Sequence, residues 1–135
     1  MEAEDLHKVY ITTIRPVLDF ASPTYHSLLT VTQSNQIEAL QKPAAKIIYG
    51  FNSSYQDIIS SGRLALLSER RTQLCRDFAR KASANPRFVK TWFPFKKEQG
   101  YKLRKPLIYE EFSHRTQRMS KNPVCYMRKL LNEDR

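Results

Sequence analysis

Apolar residues recur along most of the chain at intervals of three and four residues, the spacing of amphipathic helices. The first such run covers residues 6–21. Because Pro16 cannot donate a backbone hydrogen bond inside a helix, the pattern predicts a kink near residues 12–13 or a restart at the proline. Ser22 followed by Pro23 is typical of an N-cap and a first helical position, and predicts a short helix through Leu29.

A second run predicts a helix that starts near Thr32 or Ser34 and ends at Tyr49. Gly50 follows it, at the position just past a helix end where glycine is favoured. Pro43 lies inside this run, where a proline costs about 3 kcal/mol unless the helix kinks or breaks. The apolar side of the helix is expected to consist of Ile37, Leu40, Ala44, Ile47 and Ile48.

Two further helices are predicted before Pro86. A short one over residues 55–61 is capped by Ser53 or Ser54 and closed by Gly62, and a compact apolar group at Leu64, Leu66 and Leu67 follows it. Ser68 is the expected cap of the longest helix, which ends at Asn85 and Pro86. Its buried side is predicted to contain Leu67, Leu74, Cys75, Phe78 and Ala82.

No clear periodicity survives after Pro86 until residues 124–131, which predict a short terminal helix. Residues 96–123 are expected to be extended or partly disordered. The predicted fold is therefore all-α: an irregular bundle of four to six helices with an extended basic carboxy-terminal tail. The corresponding domains are a helical domain over residues 1–95 and a tail over residues 96–135.

Charge divides the chain into two halves. The net charge is +10, but residues 1–62 carry four Lys and Arg against six Asp and Glu, whereas residues 63–135 carry nineteen against seven. The halves therefore carry −2 and +12. This asymmetry favours contact with a polyanion such as nucleic acid. The alternative is a solvated basic surface without a specific partner.

The candidate nucleic-acid contacts are basic residues of the long helix and of the aromatic-rich segment behind it. The pair Arg70 and Arg71 could instead contact acids of a neighbouring domain. A further alternative is that one of the two, Arg71 rather than Arg70, folds back onto a helix C-terminus within the bundle. For the aromatic residues of the segment, the alternatives are base stacking and closure of the helical core. The candidates are Arg70, Arg71, Arg76, Arg80, Lys81, Arg87, Lys90, Lys96 and Lys97.

The sequence contains no arrangement typical of an active site. Its adjacent acid pairs do not follow strand-like runs, as two-metal sites would require, and its three histidines are far apart. Cys75 falls on an apolar helix face and is expected to be buried. We expect no catalysis, no metal, no cofactor and no small-molecule substrate. With no secretory signal, no membrane-length apolar run and two cysteines, the chain is expected to be intracellular, soluble and away from membranes.

Three blocks of sequence resemble a known family in order and spacing. Residues 10–23 contain Y-x3-I-R-P-V-L-D-F-A-S-P, residues 37–48 contain I-E-x2-Q-K-x-A-A-K-I-I, and Ser54-Tyr55 is followed over residues 64–78 by L-x2-L-x2-R-R-x2-L-C-x2-F. These blocks are similar to the segment behind the palm of non-LTR (LINE-type, jockey-like) retrotransposon reverse transcriptases. Two positions depart from the family pattern: Pro43 replaces a basic residue, and Tyr25 replaces a tryptophan.

The resemblance implies the helical thumb, which grips the template–primer duplex by its backbone. An RNA–DNA hybrid or RNA is then the implied partner, with a polymerase palm domain as a second one. The paired aspartates of the polymerase lie upstream of this segment in the family, and the present sequence contains no Asp-Asp. Polymerase activity is therefore not expected. Two alternatives remain: a protein-interaction module that docks on a palm domain or other partner, and the relic of a decayed element.

Overall fold

A computed structural model describes residues 2–97, 100 and 107–134. Helices dominate these residues, and no strand occurs among them beyond one isolated bridge between Phe95 and Tyr109. The all-helical prediction is therefore confirmed. The chain forms two compact units. Unit 1 comprises residues 1–22 and 29–72, and unit 2 comprises residues 23–28 and 73–135.

Unit 1 begins with a helix that changes its winding before Pro16. Helix α1 (Ala3–Val9) continues into a π-helical turn (Tyr10–Ile14) and then into α2 (Arg15–Asp19). The Arg15 N–H bonds the carbonyl of Tyr10, five residues back. Wider π turns accommodate irregularities in the hydrogen-bond ladder, such as the missing N–H of a proline. The π turn covers residues 12–13, where a kink is predicted, and α2 begins one residue before Pro16.

A short helix follows a residue in the left-handed region. Ala21 has φ 54°, after which α3 (Ser22–Tyr25) runs into a 3₁₀ turn (His26–Leu28). The predicted short helix is confirmed, although it ends one residue earlier. Ser22 is already helical rather than preceding the helix, and its hydroxyl donates to the Asp19 carbonyl at 2.6 Å.

Helix α4 (Val31–Tyr49) passes through Pro43 without ending. It begins earlier than predicted because Thr30 forms a capping box, in which its side chain accepts from the Gln33 N–H and the Gln33 side chain accepts from the Thr30 N–H. The predicted apolar side was partly wrong. Leu40 and Ile47 are each 61% exposed, whereas the buried positions are Gln41, Ala45 and Ile48.

The next two helices differ in what caps them. Helix α5 (Tyr55–Ser60) is capped by Ser54, and Gly62 follows it at φ 72°, as predicted. Helix α6 (Leu67–Ser83) is not preceded by Ser68, which lies inside it. Its first N–H, on Leu67, instead bonds both carboxylate oxygens of Glu38, at 3.0 and 3.3 Å. The positive end of the helix dipole also favours a carboxylate at this position.

Apolar contacts of α1, the π turn, α4 and α5 form the core of unit 1. A fully buried Ile or Leu side chain stabilises the fold by about 1.5–3 kcal/mol. The buried members are Tyr10, Ala45, Ile48, Ile58 and Leu64.

Unit 2 contains the later part of α6 together with α7 (Pro86–Trp92), α8 (Gln117–Ser120) and α9 (Pro123–Glu133). The predicted terminal helix is confirmed and is longer than expected. The core of unit 2 is built from Ala79, Ala82, Phe93 and Met127.

The prediction that residues 96–123 are extended or partly disordered is wrong for Gln117–Ser120, which is helical. Around the Phe95–Tyr109 bridge, the Lys96 N–H bonds the Ile108 carbonyl at 2.8 Å and the Glu110 N–H bonds the Pro94 carbonyl at 3.0 Å. Residues 101–106 lie outside the described residues. Within the described ranges, no helix combines the length and the apolarity that a membrane span requires.

Candidate nucleic-acid interface

Arg70 and Arg71, the first candidates, are engaged within unit 1. The Nε of Arg70 lies 3.1 Å from Oδ2 of Asp19, the last residue of α2. Arg71 is 0% exposed, and its Nη2 donates to the Ser34 hydroxyl at 2.8 Å. Its Nε and Nη1 find no hydrogen-bond partner among the described residues. Arg70, expected to be the freer of the two, is thus the one at a helix C-terminus, and Arg71 is buried within the bundle.

Arg76 and Arg80 of α6 both face the carboxylate of Asp134. Arg76 Nε lies 3.1 Å from Oδ1, and Arg80 Nη2 lies 2.9 Å from Oδ2. The two arginines are one turn apart, so a single carboxylate reaches both. A phosphate would have to compete with Asp134 for them.

Lys81, Arg87, Lys90 and Lys97 are exposed, and Lys96 is half-buried. None of the five forms an ion pair with a described residue. Arg87 and Lys90 are three residues apart on α7 and therefore project from the same side of that helix. Of the predicted candidates, these five are placed where a phosphate backbone could reach them directly.

The aromatic residues of the same segment divide between core and surface. Phe93 is completely buried, and Phe88 stacks on Trp92 with ring centroids 4.6 Å apart beside the unit 2 core. Phe95 is 62% exposed and stacks on Tyr109 at 5.7 Å. Most of the aromatic residues therefore close the core, and Phe95 remains accessible.

Sequence reasoning missed a buried arginine on α9. Arg128 is 1% exposed and donates to three backbone carbonyls: Trp92, Glu110 at 3.0 Å and Thr91 at 3.4 Å. Its guanidinium also lies 3.9 Å from the centroid of the Phe112 ring. Two of the carbonyls belong to the last turn of α7, where a cation is favourable. The available signal was its position four residues after Val124 and beside Met127, on the apolar side of the helix.

The described residues of unit 2 carry a strong net positive charge. They include twelve Lys and Arg and five Asp and Glu, a net charge of +7. Three arginines are committed to Asp134 or to backbone carbonyls. Nine cations of the described part form no ion pair there, namely Lys81, Arg87, Lys90, Lys96, Lys97, Arg115, Arg118, Lys121 and Lys129.

Residues of the resembling sequence blocks form a polar network inside unit 1. The Tyr10 hydroxyl donates to Gln41 Oε1, and Gln41 Nε2 donates to the Tyr55 hydroxyl at 2.9 Å and to the Ala65 carbonyl at 3.0 Å. The Tyr55 hydroxyl in turn donates to the Glu38 carboxylate.

Burial raises the pKa of Tyr10 to about 12. Burial, followed by the hydrogen bond to Glu38, also raises the pKa of Tyr55. Both hydroxyls therefore stay protonated and act as donors at neutral pH. Glu38 and Gln41 of the second sequence block thus form hydrogen bonds inside unit 1 and do not point into solvent.

The described residues contain no group of three His, Cys, Asp or Glu side chains that could hold a metal ion. Cys75 is buried, as predicted.

No protein-family model, curated protein or solved structure matches the chain.

Proposed function

We propose that this protein is a non-catalytic, thumb-like nucleic-acid-binding fragment that holds the phosphate backbone of an RNA–DNA hybrid or RNA without sequence specificity. In this proposal the described helices are the irregular bundle, and the cations of unit 2 contact the phosphates. The observation that carries the proposal is the set of nine unpaired cations in the described part of unit 2. Cations at this density release counterions when they meet phosphates, which favours binding to any sequence.

The structure narrows the residues that this proposal needs. Lys81, Arg87, Lys90 and Lys97 are exposed and carry no described ion pair. Arg71 is buried and acts in this proposal only on the stability of unit 1. The resemblance to the reverse-transcriptase thumb, stated from the sequence blocks, agrees with this function. In that family the polymerase chemistry belongs to residues upstream of the resembling segment.

The test measures binding of the purified chain to a labelled RNA–DNA hybrid by fluorescence anisotropy, at a series of salt concentrations. For the double variant Arg87→Ala/Lys90→Ala we expect weaker binding. The log–log slope against salt should flatten by roughly one unit per removed cation. The matched control is Lys8→Ala/Arg63→Ala, which removes two cations from exposed positions of unit 1 and should leave the slope unchanged.

Binding that does not depend on salt would contradict the backbone mechanism. Equal flattening in both double variants would show a response to net charge alone and would count against an interface in unit 2. Circular dichroism of each variant verifies that the helices are retained.

A second candidate function, docking on a polymerase palm domain or another protein, is favoured by one observation. Helix α4 exposes Leu40 and Ile47, each at 61%, on either side of Pro43. Contiguous exposed apolar side chains are typical of protein-interaction surfaces. Under this hypothesis a hydrophobic dye binds the wild-type chain, and Leu40→Ser/Ile47→Ser abolishes that binding while Val31→Ser does not.

A further inference from the structure

A surface cavity of about 580 Å³ lies at the carboxy-terminal end of α4 and is lined by residues of unit 1 alone. Volumes of 300–1,000 Å³ are typical of sites for small organic groups. Two lysines, two serine hydroxyls and two aromatic rings line the cavity: Lys42, Lys46, Ser53, Ser54, Phe51 and Tyr55.

The two lysines leave uncompensated positive charge at this cavity. Lys42 and Lys46 are four residues apart on α4, so their like charges are neighbours on one side of the helix. Glu38 stands four residues before Lys42, where it could form an ion pair, but its carboxylate accepts from Tyr55 and from the Leu67 N–H. Neither lysine forms an ion pair with a described residue. An anion in the cavity would relieve their repulsion.

An aromatic ring is presented beside the lysines on an ordered turn. Gly50 ends α4 at φ 93°, a conformation that favours glycine, and thereby redirects the chain into the turn that carries Phe51. The Ser53 N–H bonds the Gly50 carbonyl at 3.3 Å, and the Ser53 hydroxyl bonds the Tyr49 carbonyl at 3.4 Å. Phe51 is nevertheless 79% exposed, so the turn holds a large apolar ring in solvent.

The second ring of the cavity is already held in place. The Tyr55 hydroxyl is fixed by Glu38 and Gln41, and the Lys42 ammonium lies 5.8 Å from the centroid of the Tyr55 ring. Ring and ammonium are thus arranged before a ligand arrives, which lowers the ordering cost of binding.

Two cations beside an accessible aromatic ring match the chemistry of single-stranded nucleic acid, in which phosphates alternate with bases that have exposed faces. We propose that this cavity is a second binding site, in which Lys42 and Lys46 contact a phosphate and Phe51 stacks on an adjacent base of single-stranded RNA or DNA. The site does not use the cations of unit 2, so either proposal can fail without the other.

The test uses the full chain carrying Lys81→Ala, Arg87→Ala and Lys90→Ala, so that the unit 2 surface contributes less to binding. The probe is a labelled single-stranded oligonucleotide of about ten nucleotides, within the length that single-strand sites cover. Phe51→Ala should weaken binding about tenfold, the size of one lost base stack, with an unchanged salt slope. Lys42→Ala/Lys46→Ala should flatten the log–log salt slope by about 0.7, the value for one phosphate contact on a single strand.

The matched control is Phe20→Ala, because Phe20 is 78% exposed in the same unit and does not line the cavity. It should bind like the parent. Equal affinities of the Phe51 and Phe20 variants would overturn the stacking contact, and an unchanged salt slope in the lysine variant would overturn the phosphate contact. Competition distinguishes the ligand chemistry. A nucleoside monophosphate should displace the probe at a concentration where inorganic phosphate does not, and equal displacement by both would overturn the nucleotide assignment.

Discussion

The side-chain amide of Gln41 connects four segments of unit 1. It accepts from Tyr10 of the π turn and donates to Tyr55 of α5 and to the carbonyl of Ala65, which precedes α6. At 1% exposure it has no access to water. A buried amide of this kind is favourable only when its partners are all present, because each unpaired polar group costs about 1–3 kcal/mol.

We predict that Gln41→Leu lowers the free energy of unfolding by about 2–4 kcal/mol. Leucine retains most of the volume but leaves the Tyr10 hydroxyl and the Ala65 carbonyl without a partner. Urea unfolding followed by circular dichroism measures the change. Gln36→Leu is the control, because Gln36 is exposed on the same helix and should change stability by less than about 0.5 kcal/mol. A Gln41 variant as stable as this control would contradict the network.

Sequence periodicity located α4 but identified only part of its buried side, and Gln41 explains why. An apolar-pattern argument assigns polar residues to the surface, and so it placed Leu40 and Ile47 inside. The helix instead turns Glu38, Gln41 and Ala45 inward, because their partners Tyr55 and the start of α6 come from elsewhere in the chain. These partners can be identified only from the tertiary structure.

At the scale of helices, Pro43 is the clearest conflict between local propensity and the observed element. It lies near the middle of α4 and is exposed, and the helix continues through it to Tyr49. The carbonyl of Ala39, four residues back, therefore receives no N–H from position 43. The capping box at Thr30 and the buried contacts of Ala45 and Ile48 offset this loss.

Replacement of Pro43 by alanine is predicted to stabilise unit 1 by about 1–3 kcal/mol, because it restores a helical hydrogen bond and removes the ring. The control is Pro86→Ala. Pro86 is the first residue of α7, where a proline loses no helical bond, so this change should have little effect. Chemical unfolding of both variants measures the difference. A destabilised Pro43 variant would show that the ring makes a favourable contact that outweighs the lost hydrogen bond.

Arg128 has a comparable importance for α7, since it supplies donors to carbonyls of Thr91 and Trp92 at the end of that helix. We predict that Arg128→Met lowers the free energy of unfolding by at least about 3 kcal/mol, because hydrogen bonds from a charged donor contribute about 1.5–3 kcal/mol each and three carbonyls would lose theirs. One of these carbonyls belongs to Trp92, the single tryptophan of the chain, so the fluorescence of its indole reports on the surroundings of the contact.

Lys129→Met is the matched control for that measurement, because Lys129 is exposed on the same helix. It should shift the unfolding midpoint little, whereas Arg128→Met should also change the emission of Trp92 in the folded state. Unchanged emission together with unchanged stability would contradict a capping role for Arg128.

Over the whole chain, composition predicted the basic second half but could not predict which cations remain available. Counting charges treats Arg71, Arg76, Arg80 and Lys81 alike. Folding buries the first, pairs the next two with Asp134, which is more than fifty residues away in sequence, and leaves the last exposed. Long-range pairs of this kind leave no periodic signal, and so the sequence alone identified the basic half but not its accessible members.

The two units also differ in their expected response to alkaline pH, because the buried tyrosine hydroxyls of the polar network lie in unit 1. The pKa of Tyr10 is raised to about 12, against an ordinary value of 10.0. Above pH 10 the unfolded chain therefore releases this proton before the folded chain does, and the folded state binds more protons. Stability is fully present below pH 10 and falls as the pH rises toward 12.

We predict that the free energy of unfolding decreases by about 2–3 kcal/mol between roughly pH 9.5 and pH 12 through Tyr10 alone, since each unit of pKa difference corresponds to about 1.4 kcal/mol. Urea unfolding at several pH values, followed by circular dichroism, measures this slope. Tyr10→Phe should begin less stable, because Gln41 loses a donor, but should show a flatter dependence on pH. Some dependence should remain, because the pKa of Tyr55 is also raised. Parallel curves for the wild type and this variant would show that Tyr10 does not ionise on unfolding, and would contradict its placement in the buried network.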